Sequence, residues 1–202
     1  MALKGQLSGR KHFCAAERLL GMEPVREQVA AARCGDALAV SELVRSVWPD
    51  AYRIAWSILQ DHEDAEDAAQ DACARLITAI GSLRDPSRFT VWFYRIVVNQ
   101  ARTKQRERLR HPGIGDEKPE SLASDDRIDV DRAIRSLDPS LRIVIVLRYH
   151  YDLKSSEIGA VLGLSGVTVR WRLMRAHRRL RPLLESFPQP QGECLDEPLA
   201  SS

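Results

Sequence analysis

The stretch from Ser155 to Leu180 admits few folds. Ser155 or Ser156 can cap a short helix that turns Ile158, Val161 and Leu162 inward. Gly163 then permits a tight turn, and Ser165 can cap a second helix. In that helix Val169, Leu173, Ala176 and Leu180 recur at spacings of 4, 3 and 4, which places them on one buried stripe. Arg170, Trp171, Met174, Arg175, Arg178 and Arg181 fall away from it. This is a helix-turn-helix pattern whose second helix carries an outward guanidinium face. Such a face suits the major groove, where arginine pairs with guanine edges and grips phosphates. The N-terminal part of such a helix reaches the bases, so Arg170, Trp171, Met174 and Arg175 are base-contact candidates. Arg172, Arg178 and Arg179 suit phosphates better.

The rest of the chain also repeats at helical spacing. Leu38, Leu43, Val44 and Val47, then Ile54, Ala55, Ile58 and Leu59, recur with that period, and Pro49 between them predicts a restart or kink. A further helix opens at Asp61, with Glu63 and Asp64 in the turn where the helix dipole favours acids. Its apolar stripe reads Ala65, Ala69, Cys73 or Ala72, Leu76, Ile77 and Ile80, with Gly81 as its end. After a turn at Asp85-Pro86, Phe89, Trp92, Phe93, Ile96 and Val97 define the apolar side of the next helix. No segment alternates with period two over a useful length. The expected fold is all-α with two small helical domains, over residues 25–110 and 129–185. Residues 111–128, broken by Pro112, Gly113, Gly115 and Pro119, form a flexible linker. A loose N-terminal extension covers 1–24 and a disordered tail 186–202.

Charge sharpens this division. The chain carries 30 Lys+Arg against 28 Asp+Glu, yet the charges are segregated. Asp61 to Asp71 holds six acids and no Lys or Arg. Arg95 to Arg110 holds six bases and one acid, and Arg170 to Arg181 six bases and no acid. Two separate basic helices suggest two contacts with a polyanion. Each could also be an ordinary solvated helix face.

Other function classes find little support. The longest apolar run, Ile143 to Leu147, is far short of the roughly 18–20 residues that span a bilayer. Lys4, Arg10 and Lys11 are not followed by an apolar signal core, so a cytoplasmic protein without membrane insertion is expected. Cys14, Cys34, Cys73 and Cys194 form no CxxC pair and read as free thiols; His12 beside Cys14 does not make a zinc site. No phosphate loop, metal-ligand cluster or nucleophile motif is present, so no catalytic residue, metal or cofactor is expected. His62 beside Glu63 and Asp64 reads as surface.

Two motif blocks carry a resemblance. Asp64-Ala65-Glu66-Asp67-Ala68-Ala69-Gln70-Asp71, followed by Phe89-Thr90-Val91-Trp92-Phe93-Tyr94-Arg95-Ile96-Val97-Val98-Asn99, resembles region 2 of sigma-70-family factors. Ala133-Ile134-Arg135-Ser136-Leu137-Asp138-Pro139, with Glu157 to Gly163 and on through Arg181, resembles region 4. The short connection between them is like that of the extracytoplasmic-function (ECF) group. The resemblance runs from Gln28 to Leu184 and implies an alternative sigma factor. Such a protein binds core RNA polymerase, directs promoter recognition and helps melt DNA.

By that resemblance, Asp64, Asp67, Gln70 and Asp71 dock on the polymerase clamp helices, while region 4 meets the polymerase flap. The loop from Ser82 to Arg88 and the helix after it open and read the −10 element, through Arg84, Ser87, Arg88, Arg95, Asn99, Arg102 and Lys104, with Arg106 on the backbone. The −35 element falls to Arg170, Trp171, Arg172, Met174, Arg175 and Arg178. An anti-sigma factor is a further implied partner. Three positions depart from the family pattern. Arg84-Asp85-Pro86-Ser87-Arg88 stands where the family loop is usually Arg-Gly-Asp-Ala-Ser. Val91 replaces a threonine, and Trp171 replaces a small residue on the reading face. The alternative is a stand-alone helix-turn-helix regulator that binds duplex DNA without polymerase. The region 2-like first half, which resembles neither a ligand sensor nor a receiver, argues against it. The two basic blocks argue against a sigma-like adaptor that never touches DNA.

Overall fold

A computed structural model describes residues 26–110 and 126–185. Within them the chain is helical and no strand occurs. The helices are α1 over 26–33, α2 (Ala37–Leu59), α3 (His62–Ala79) and α4 (Phe89–Arg110) in the first half. The second half holds α5 (Asp126–Arg135), α6 (Pro139–Ile145), α7 (Ser155–Leu162) and α8 (Gly166–Glu185). α5 begins inside the range read as linker. The extension, the rest of the linker and the tail lie outside the described residues. No described helix is long and apolar enough to cross a membrane.

The first half packs α2, α3 and α4 against one another. Their contact is lined by alanines: Ala51, Ala55, Ala65, Ala68, Ala69, Ala72 and Ala101 are all fully buried. Small side chains let the helix axes approach closely. Leu43, Ile54, Leu76, Phe93 and Val97 fill the remaining space, each burial worth about 1.5–3 kcal/mol. Asp36 caps α2 by accepting from the Leu38 and Ala39 amides at 2.9 and 3.1 Å, and Asp61 caps α3 by accepting from Asp64 N–H at 3.0 Å.

Several local expectations need correction. α2 runs through Pro49 without a restart. Pro49 lies on the exposed face, where water can serve the carbonyl that its missing N–H leaves unpaired. Leu38 is 71% exposed, because it sits about 140° around the helix from Leu43, and Ala39 takes the buried place. Ile77 is 52% exposed for the same reason: it is one residue past the buried Leu76 and rotated off the stripe. α3 ends at Ala79 and passes into a 3-10 turn over Ile80–Ser82, so Gly81 supplies no left-handed cap. Lys154, not a serine, is the residue before α7, and its N–H donates to the Glu157 carboxylate at 2.6 Å.

The second half is built on α6, α7 and α8. Gly163 takes φ 69° at the end of α7, the left-handed turn that the sequence called for. Ser165 Oγ accepts from Thr168 N–H at 3.1 Å at the start of α8. Val169, Leu173, Ala176 and Leu180 are buried as one stripe. After α6 the coil widens into a π-type turn over Val146–His150, closed by Tyr151 N–H on the Val146 carbonyl at 3.3 Å.

That turn aims Tyr151 back at the first half. α2 meets α6, and α4 meets α7, so the two halves share a seam. There Tyr151 and Tyr94 lie edge to face, and both are almost fully buried. Gln60 donates to the Arg135 carbonyl at 3.1 Å, and the Arg135 guanidinium lies 4.6 Å from the centre of the Trp56 ring.

Candidate nucleic-acid and polymerase interfaces

The outward face of α8 is built as its spacing requires. With Val169, Leu173, Ala176 and Leu180 fixed inward, Arg170, Trp171, Met174, Arg175 and Arg178 are exposed. Trp171 is 50% exposed and Met174 54%; the Arg175 guanidinium lies 5.2 Å from the centre of the indole. Val167, at 66%, extends the same apolar line toward the N-terminus of the helix. The result is a mixed surface of cations and apolar side chains, with the chemistry to meet base edges, thymine methyls and phosphates together. Arg172 is only half exposed and faces Arg102 of α4. Arg179 is held by Asp138 at 2.7 Å, a pair near the solvent. His177, behind this face, meets the Tyr149 hydroxyl at 2.7 Å, and burial lowers its pKa.

The loop before α4 is short and self-bonded. Asp85 precedes a single 3-10 turn over Pro86–Arg88 and accepts from both the Ser87 amide and the Ser87 hydroxyl, at 2.9 and 2.7 Å. These bonds hold the Asp85 carboxyl below its ordinary pKa. Arg84, Ser87 and Arg88 are exposed around this turn. On α4 Arg95 and Asn99 are exposed, one turn apart on one face. Trp92 is half-buried against Phe89, at 6.1 Å between ring centres. Tyr94, next to Arg95 on α4, is 4% exposed and belongs to the seam.

The cations further along α4 point elsewhere. Arg102 donates to the Leu162 carbonyl at 3.1 Å, reaching the end of α7; burial, then neighbouring Arg172 and Arg106, lowers its pKa. Lys104 donates to Asp67 of α3 at 2.9 Å, and that bond raises its pKa. Arg108 reaches Asp61 at 3.6 Å and Asp64 at 3.8 Å. The acidic start of α3 and the basic end of α4 therefore neutralise each other in part. Asp67, Gln70 and Asp71 remain exposed, and Asp64 is half-buried.

Three features were missed in the sequence. Asp50, Tyr94 and Tyr151 form the seam, which no local period announces. The Arg102 contact joins residues 60 positions apart. Arg142 is 4% exposed and donates to the Leu137 carbonyl at 2.8 Å; burial lowers its pKa to about 10. A charge inside the apolar run Leu141 to Ile145 was the one available signal. Among the described residues no group of three potential metal ligands occurs; Cys34 is an exposed free thiol and Cys73 a buried one.

Comparison with known proteins places this geometry. Residues 29–111 match the family model described as Sigma-70 region 2, and residues 133–182 match Sigma-70, region 4. RNA polymerase sigma factor SigV of Bacillus subtilis is 30% identical over 65% of this chain and 82% of its own length. ECF RNA polymerase sigma factor SigM of Mycobacterium tuberculosis is 31% identical over 78% of this chain and 83% of its own. Among solved structures, the sigma factor RpoE in complex with the anti-sigma factor NepR from Bartonella quintana superimposes with a TM-score of 0.59 at 26% identity. It covers 73% of this chain and 98% of its own.

Proposed function

The chain belongs to the sigma-70 family of RNA polymerase sigma factors, in its extracytoplasmic-function group, and from that premise we propose how its side chains divide the work. Its function is that of an alternative sigma factor: it binds core RNA polymerase and directs promoter recognition, melting and initiation. The stand-alone regulator falls away, because residues 29–111 match region 2.

Residues 25–110 form the polymerase and −10 domain, and residues 129–185 the −35 domain. Asp64, Asp67, Gln70 and Asp71 present the polymerase face. Arg84, Ser87, Arg88, Arg95 and Asn99 capture the −10 strand, with Arg102 and Lys104 holding its backbone once they leave Leu162 and Asp67. Arg170, Trp171, Met174 and Arg175 read the −35 duplex, flanked by Arg172 and Arg178 on phosphates. The observation that carries this division is the exposed face of α8, where a complete buried stripe leaves Arg170, Arg175 and Arg178 outward together with Trp171 and Met174. The protein acts in the cytoplasm, takes no cofactor and catalyses no reaction of its own. An anti-sigma factor is a partner, as it is for the Bartonella protein.

The test is transcription from purified components. The protein is mixed with bacterial core polymerase and genomic DNA of the source organism, and RNA 5′ ends are mapped. Starts that depend on the protein and share two upstream elements are the expected outcome. Retention on duplex DNA without core binding would overturn the reading.

A further inference from the structure

α1 brings the chain in beside the loop that precedes α4. Gln28 of α1 donates to Glu42 of α2 at 3.0 Å, and Val29 and Ala32 are buried in the core, so α1 is held alongside the first turns of α2. α2 and α3 pack against each other and are joined only by Gln60 and Asp61, so they run antiparallel. The first turns of α2, and α1 with them, therefore lie level with the end of α3 and the loop that follows it. Arg26, exposed at the start of α1, joins Arg84 and Arg88 around Asp85 there. After the Ser87 bonds and Arg88, its charge helps to lower the Asp85 pKa.

The sequence that leads into α1 is basic. Residues 1–12 hold Lys4, Arg10 and Lys11 and no acid, and Arg18 follows between Glu17 and Glu23. These positions lie outside the described residues, but their point of attachment is Arg26, among the guanidinium groups of the loop. From Lys11 to Arg26 an extended chain reaches at most about 50 Å, enough to follow a DNA backbone past that loop. Cations tethered beside a backbone bind it as an intramolecular event, and each phosphate they neutralise releases counterions. The acids of the same domain are the poorer partner. Asp61, Asp64 and Asp67 stand at the far end of α3 and already meet Arg108 and Lys104.

We propose that Arg26 and the basic segment before it, through Lys4, Arg10 and Lys11, form a further DNA-binding arm that grips backbone phosphates flanking the −10 element. The proposal rests on the assignment of the Ser82 to Arg88 loop to that element. The arm adds affinity without sequence preference, since phosphates carry no base information.

The test is a fluorescence-anisotropy salt titration of the full chain on a mixed-sequence DNA duplex. Lys4→Ala, Arg10→Ala and Lys11→Ala combined in one chain should lower the log–log salt slope by about 2.7, and Arg26→Ala alone by about 0.9, one phosphate per cation. Lys4→Arg, Arg10→Lys and Lys11→Arg combined, which keep the charges, should hold the parent slope. Arg170→Ala with Arg175→Ala is the reference for the −35 face. If that reference lowers the slope and the arm variants do not, the arm is overturned and the −35 assignment stands. If the charge-keeping variant loses as much as the alanine variant, the phosphate role is overturned. If the parent binds no duplex, both the arm and the DNA reading beneath it fall. On promoters mapped with core polymerase, hydroxyl-radical protection should shrink beside the −10 element alone in the alanine variant; loss beside the −35 element instead would overturn the placement.

Discussion

Tyr94 of α4 and Tyr151 beyond the π-type turn meet with ring centres 4.9 Å apart, and both hydroxyls reach Asp50. Tyr94 donates to the Asp50 carboxylate at 2.9 Å, and Tyr151 to the Asp50 carbonyl at 3.3 Å. One residue of α2 thus ties a helix of the first domain to the second domain. Burial, with Asp50 alongside, raises the Tyr151 pKa, so the phenol stays protonated and remains a donor. Tyr151→Phe keeps the ring and should cost about 0.5–1.5 kcal/mol. Tyr151→Ala empties the seam and should cost about 3–5 kcal/mol. Urea unfolding of the two variants measures the difference; equal losses would mean that the ring packing contributes nothing beyond the hydroxyl.

Lys104 and Asp67 should separate stability from function. Their bond is short, at 2.9 Å, but Asp67 is more than half exposed, and such pairs contribute about 0–1 kcal/mol. Lys104→Ala should therefore unfold almost as the parent does. Its binding to −10 single strands should weaken, with the log–log salt slope falling by about 0.7 for one lost phosphate contact. Asp67→Lys should instead lower affinity for core polymerase and leave −35 duplex binding unchanged. A fluorescence-anisotropy salt titration and a polymerase pull-down check the two arms.

On α8 the side chains that read DNA carry none of the core. Arg170→Ala and Arg175→Ala should each weaken −35 duplex binding by about 1–3 kcal/mol, with melting temperatures near the parent value. Trp171→Ala, which removes exposed apolar surface, should lower discrimination between thymine and uracil in the element, since the bases differ by one methyl. Competition binding with uracil-substituted duplexes is the measurement. Equal loss of DNA and polymerase binding in any of these variants would point to misfolding.

How far the sequence reached follows from the range of each interaction. The turn and the second helix of the helix-turn-helix were legible in the sequence, because Gly163, Ser165 and the 4, 3, 4 spacing are local requirements of one turn and one stripe; the cap of its first helix was not, since Lys154 and not a serine holds that place. Ile77 and Leu38 went astray because an apolar side chain near a stripe looks like part of it until a neighbouring helix sets the angle. The acidic and basic blocks were legible as charge, but their mutual pairing through Lys104, Arg108, Asp61 and Asp67 depends on how α3 and α4 cross. The seam was invisible, since Asp50 and Tyr151 are 101 residues apart and neither belongs to a periodic pattern.

His177 gives the protein a pH dependence whose sign is fixed by its burial. Behind the α8 face its pKa is lowered from the ordinary value near 6.5, chiefly by desolvation, and its ring meets the Tyr149 hydroxyl at 2.7 Å. Between the folded and unfolded pKa values the unfolded chain binds the extra proton, so stability rises with pH there. The stabilisation is complete above about pH 6.5 and declines as pH falls toward the lower folded value. His177→Gln keeps a polar partner for Tyr149 and cannot titrate. Its unfolding free energy should therefore fall less steeply than the parent's below pH 6.5, and the two slopes should run parallel above it. Urea unfolding at half-unit steps of pH decides the matter; parallel slopes throughout would show that His177 takes up its proton equally in both states.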